Sequence, residues 1–360
     1  MHRIFRERGV GMVSRLAGIL KCDNITITPV STDLRVMYRL PFTLFLVLLL
    51  ALVGVHRAAA APRVFVSIPP QQYLVEGIAG DLLEVEVMVG PGQNPATYEP
   101  LPRQMARLSG ALLYYRIGVP FERVWMTRLL ANNPSLEVLD ARQGIALRAI
   151  EAHGHAEKDD DDQDDHGHPQ HDAEKDDDHG HPQHDDHGHP QHDDHGHPGG
   201  DDPHIWLSPR RMARMADLLL ERLVRLAPGE EAVMRANHHA LRGRLEALDR
   251  ELQTLLAPLR GRAFLVYHPS WGYFADDYGL RQVPIEAGGR EPGARALVGL
   301  IEQARAGRVR SIFVQRQFAQ GQARALADAV GARLVVIDPL SGAYVENLRQ
   351  AARAIAEGVE

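Results

Sequence analysis

Residues 262–286 read RAFLVYHPSWGYFADDYGLRQVPIE, and the fold can be read from them. An apolar run from Arg262 ends in His268, a helical stretch follows near 271–278, and a second apolar run from Arg281 ends in Glu286. Short apolar strands alternating with helices predict a parallel sheet built from βαβ crossovers. Toward the C-terminus the pattern continues, with strands at Arg310–Gln315 and Arg333–Ile337 and helices over 293–307 and 321–332. A last helix, Ala343–Glu357, ends it. Toward the N-terminus the same alternation appears once more. There Val64–Ile68, Glu84–Val89, Leu112–Ile117 and Leu136–Leu139 read as strands, with helices at Pro69–Gly80 and Phe121–Ala131.

Between these halves, Ser208–Leu259 has no strand and is broken only at Pro228-Gly229. From Glu230 to Leu256 apolar residues recur at helical spacing: Val233, Ala236, Leu241, Leu245, Leu248, Leu252 and Leu255. At about 1.5 Å per residue this helix spans roughly 40 Å, the length of a domain, so it reads as a strut. The fold class is therefore α/β: two parallel-sheet lobes, residues 62–227 and 260–360, joined by a long rigid helix over 228–259, with a cleft between them.

The chain carries a net −7, but its acidity is local. Residues 151–202 hold 19 acidic side chains against Lys158 and Lys175, a net −17, so the remainder is +10. Thirteen of the 19 histidines fall in the same stretch, between His153 and His197. The unit DDHGHPQH starts at Asp164, Asp177 and Asp185 and is cut short at Asp193. Such polar, repetitive sequence lacks the apolar surface needed to fold alone, so 151–200 reads as a disordered insert on the first lobe. Its clustered imidazoles and carboxylates suit zinc, copper or nickel at neutral pH.

Residues 1–61 read as a targeting region. Leu40–Val55 is one apolar run behind Arg39, followed by Ala58-Ala59-Ala60-Ala61, the three parts of a cleavable secretory signal. Met37 is the expected true start and cleavage is expected near Ala60 or Ala61, which places the mature chain in a periplasm. The single cysteine, Cys22, is then lost. A mature chain without thiols has no disulfide, thiolate site or cysteine nucleophile, so any metal is held by His, Asp or Glu.

Three segments offer such ligands. DPHIWLSP (202–209) puts His204 after a proline-fixed turn and before a helix start. VYHPSWGYF (266–274) puts His268 at the carboxyl end of a strand, where α/β folds bind ligands. VIDPL (336–340) does the same for Asp338. With these segments, the chain from about Val64 onward resembles the ZnuA/TroA-like family of zinc and manganese binding proteins of ABC importers. The resemblance implies two α/β lobes, a rigid connecting helix and one metal in the cleft, under His204, His268 and Asp338. It also implies an inner-membrane ABC permease as partner for a monomeric, non-enzymatic carrier.

One segment departs from the family. In NPATYEP (94–100) the family places a histidine where this chain has Ala96. Water, Glu286 at another strand end, His153 or His155 from the insert, and more weakly Asn94 or Tyr98 are the candidates to close the shell. Two imidazoles with one carboxylate and a His-rich insert fit Zn²⁺, whereas Glu286 as a second carboxylate shifts the set toward Mn²⁺ or Fe²⁺. An open zinc position also fits a hydrolase with Glu286 as general base, and the insert also fits a periplasmic zinc buffer. No GxxxxGK[ST], HExxH, GxSxG or basic stripe occurs, which argues against an ATPase, those hydrolase classes and a nucleic-acid partner.

Overall fold

The structure, a computed structural model, describes residues 61–150, 200–286, 291–318 and 320–359. The apolar leader and the expected cleavage site at Ala60 lie outside the described residues, as do residues 151–199 of the insert.

The first lobe runs β1 (Arg63–Val66), α1 (Pro69–Ala79), β2 (Glu84–Val87), α2 (Pro102–Leu108), β3 (Leu113–Arg116), α3 (Pro120–Asn132) and β4 (Glu137–Asp140). Two long helices follow, α4 (Pro209–Leu226) and α5 (Glu231–Leu256). The second lobe contains β5 (Ala263–Val266), α6 (Gly272–Tyr278), β6 (Arg281–Pro284), α7 (Ala294–Ala306), β7 (Ser311–Val314), α8 (Gly321–Val330), β8 (Arg333–Val336) and α9 (Tyr344–Val359). Each sheet is four-stranded and wholly parallel, ordered β2-β1-β3-β4 in the first lobe and β6-β5-β7-β8 in the second. The α/β class with two parallel sheets and a long helix is thus the observed fold. Parallel strands need helical crossovers, and their central runs (VFV, LVY, IFV) are buried because helices cover both faces.

Proline opens several helices where a missing N–H costs nothing: Pro69, Pro102, Pro120 and Pro209 each occupy the first turn. Ser208 caps α4 by accepting from the Arg211 N–H at 3.1 Å. The short helix α2 went unread in the sequence because PRQMARL has too few apolar positions to show a period.

Helix α5 packs against α1, α4 and α9, which draws both lobes onto it. Its buried stripe is Met234, Leu241, Leu245, Leu248, Leu252 and Leu256. The sequence pattern instead assigned Val233 and Leu255 to that face, and both are exposed, as is Ala236. Steps of three, four and seven residues from Leu241–Leu252 reach 234 and 256, so the stripe is shifted by one position at each end. The consequence is one continuous core, running from Val64 and Phe65 through Leu241–Leu256 to Trp271, Phe313 and Ile355. A second, smaller cluster lies in the outer part of the second lobe.

Candidate metal centre

In both sheets the chain reverses its winding beside the central strands β1 and β5, and the crevices beyond the carboxyl ends of such strands are where α/β folds place ligands. Every strand of the second sheet delivers a polar side chain just past that edge: His268 after β5, Glu286 after β6, Gln315 after β7 and Asp338 after β8. The first lobe supplies the opposite wall, 94–97 and 118–120 with Arg123, and the loop at 203–206 contributes His204 and Trp206. Together they enclose a cavity of about 300 Å³.

The first-lobe wall is fixed by a buried carboxylate. Glu122 accepts from the Ile117 and Gly118 N–H groups (2.9 and 2.8 Å), the Ser67 hydroxyl (2.5 Å) and Arg116 (3.3 Å). Burial pushes its carboxyl above the ordinary value, against the pull of these donors. They satisfy an otherwise costly group and lock the 118–120 corner in place.

His204 and His268 face each other across this cavity, ring centroids 5.3 Å apart and nearly perpendicular. Each ring has its Nδ1 on a carboxylate. His204 Nδ1 donates to Oδ1 of Asp202 at 2.7 Å, and the same oxygen accepts the His204 backbone N–H at 3.0 Å. His268 Nδ1 donates to Oε1 of buried Glu286 in a short hydrogen bond. Because a carboxylate only accepts, each Nδ1 carries the proton and each Nε2 keeps a free lone pair. Carboxylate behind imidazole is how metal-binding histidines are oriented and made more basic. Phe318 stacks on His268 at 4.7 Å and Trp206 lies 5.0 Å from His204, which restrains both rings.

The other sequence candidates are used differently. Glu286 reaches the cavity, but its Oε1 is taken up by His268. Asp338 is not among the cavity-lining residues, although Pro339 and Leu340 are. Its Oδ1 accepts from the Leu340 N–H and from Gln317, both at 3.0 Å, shaping the turn. Among the described residues, no three His, Cys, Asp or Glu side chains are grouped to hold one ion, so the expected set of His204, His268, Asp338 and Glu286 is not assembled around one point. Asn94 lines the cavity with Oδ1 committed to the Ala96 N–H at 2.9 Å, and Tyr98 is turned to Gln104. His153 and His155 lie outside the described residues.

Gln315, Gln317, Phe318 and Arg123 were not foreseen as cavity residues. The strand-end rule that singled out His268 and Glu286 applies equally to Gln315, whose uncharged amide gave no reason to stop there.

Burial holds the His204 imidazole below its usual value, and Asp202 restores only part of the loss. The unfolded chain then takes up a proton near pH 6.5 that the folded chain refuses until lower pH. Metal-free protein is therefore expected to lose stability as pH drops through about 6.5, and His204→Gln to flatten that slope. Urea midpoints measured at about pH 7.5 and about pH 5.5 check it.

A family model described as ZnuA, zinc-uptake complex component A periplasmic, matches residues 64–358. The high-affinity zinc uptake system protein ZnuA of Paracoccus denitrificans is 37% identical over 276 residues, covering 76% of this chain and 78% of that protein. The zinc-binding lipoprotein AdcA of Streptococcus pneumoniae is 25% identical over 287 residues, 78% of this chain, and the chain spans only 50% of that longer protein. Among solved structures, a crystal structure of ZnuA aligns with TM-score 0.69 at 35% identity, covering 83% of this chain and all of that one. A ZnuA deletion mutant with zinc bound aligns at 0.68 and 35%, covering 83% and 98%.

Proposed function

Since this chain belongs to the family of ZnuA, the periplasmic component A of zinc-uptake complexes, we propose that it captures Zn²⁺ between its lobes and hands it to an ABC permease in the inner membrane. The observation that carries this reading is the facing pair of carboxylate-backed imidazoles, whose Nε2 atoms are free and whose protons are held on the far side. Zinc binds neutral imidazole at about 2.0–2.1 Å, and two Nε2 donors supply half of a tetrahedral shell. Asp338 joins them in the loaded protein by releasing Gln317, and a molecule from solution takes the position that Ala96 leaves vacant. Asp202 and Glu286 orient the rings and lie outside the shell. With Asp202 and Glu286 each bonded to a ring Nδ1, the cavity suits capture and release rather than catalysis. Export through a leader cleaved near Ala60 or Ala61 brings the mature chain to the periplasm.

The test separates this site from the His-rich insert. Ile150 N–H donates to Gly200 O at 3.1 Å, and Ala149 pairs antiparallel with Asp201, so the two ends of the insert meet. Replacing 151–199 with a two-residue Asn-Gly turn therefore suits the local geometry. Calorimetric titration of the shortened protein is expected to retain one tight zinc per chain. Loss of all tight binding would mean that the insert, not the cleft, is the capturing element.

A further inference from the structure

The cavity is larger than an ion requires and is finished for something else. About 300 Å³ lies at the lower bound of small-molecule sites. Much of its wall is apolar, with Pro95, Val119, Phe318 and Leu340 beside the methyl of Ala96. Two features of this wall lack partners. Gln315 is 2% exposed, and its amide nitrogen donates to Ser270 Oγ at 2.6 Å, but its buried Oε1 accepts nothing. Gln317 Oε1 is orphaned in the same way. A buried acceptor without a donor costs about 1–3 kcal/mol, so such a pair at a cavity wall marks a place for N–H groups. Arg123, an exposed residue on the same wall, has no ion pair or hydrogen bond among the described residues and presents a fork suited to a carboxylate.

The geometry points to a zinc chelate as the captured species: Zn²⁺ carrying a small α-amino-acid ligand with amine, carboxylate and a third donor. The inference rests on zinc capture at His204 and His268 and names what fills the rest of the shell. Amine and third donor coordinate the ion where Ala96 offers nothing. The amine's N–H groups reach Gln315 and Gln317, and the carboxylate meets Arg123. Bare zinc leaves two buried acceptors unmatched; the chelate satisfies both and gives the exposed Arg123 a counter-ion.

Equilibrium dialysis of the full mature chain against zinc and radiolabelled L-histidine tests it. One labelled histidine per protein is expected, dependent on zinc and lost in His268→Ala. Arg123→Ala should lower retention about tenfold, and Ala96→His should displace the label while zinc is still held. Citrate, which has carboxylates but no amine, should compete poorly. Tight zinc binding with no retained histidine overturns this inference and leaves zinc capture standing. Label that survives His268→Ala, or is displaced equally well by citrate, overturns it too. Absence of tight zinc binding under any condition sinks the underlying capture reading instead.

Discussion

His268→Ala is expected to weaken zinc binding at the cleft by at least roughly 100-fold, since removing groups that merely support a metal ligand already costs about 10–100-fold. The reason is arithmetic as much as chemistry. Among the described residues only two imidazoles line the cavity, so the variant loses half of these nitrogen donors and leaves Glu286 buried with no proton donor from His268. Glu286→Gln makes a sharper companion. It keeps the shape and both imidazoles but removes the charge that fixes the His268 tautomer, and is expected to cost about 10–100-fold. Competition with a chromophoric chelator, in protein whose insert has been replaced, measures both. Equal affinity for wild type and His268→Ala would remove this cleft as the zinc site.

The second large effect concerns stability. Trp206 is 1% exposed and spans the lobes: its indole N–H donates to Pro339 O at 2.7 Å, while its own carbonyl accepts from the Tyr344 hydroxyl at 2.8 Å. Trp206→Ala should cost about 3–5 kcal/mol, the range for emptying a large aromatic site in a core. Trp206→Phe retains most of the packing but orphans the Pro339 carbonyl, and should cost about 1–3 kcal/mol. Urea unfolding checks both. A loss below about 1 kcal/mol for the alanine variant would show that the site collapses around the gap. The same variant removes the restraint beside His204, so zinc affinity should fall along with stability.

The central strands were legible because a parallel strand covered on both faces must be apolar throughout, and short runs such as VFV and IFV leave little else to read. The site residues were legible for the same reason, since a polar side chain directly after such a run sits at the ligand-binding edge. Their partnerships were not. In β5 and β6, Val266 lies opposite Pro284, and continuing that register by two residues sets His268 beside Glu286. Sequence alone does not fix the register between two parallel strands, so Glu286 read as a candidate ligand rather than as the group behind one. Asp338 illustrates the same limit. Its turn-shaping bond to the Leu340 N–H follows from an Asp two residues before, but the bond from Gln317 depends on how the loop after β7 packs. The phase of α5 was missed at its ends because helical periodicity cannot show where neighbouring helices stop.

The unbroken core from β1 through α5 to α9 bears on how a full protein announces itself. Sliding one half against the other would disturb apolar contacts along that seam. If zinc is captured as proposed, the loaded form is expected to differ from the empty one at the mouth, which Gln317, Phe318 and the 94–97 loop line. A membrane receptor would then be expected to read the texture of that rim.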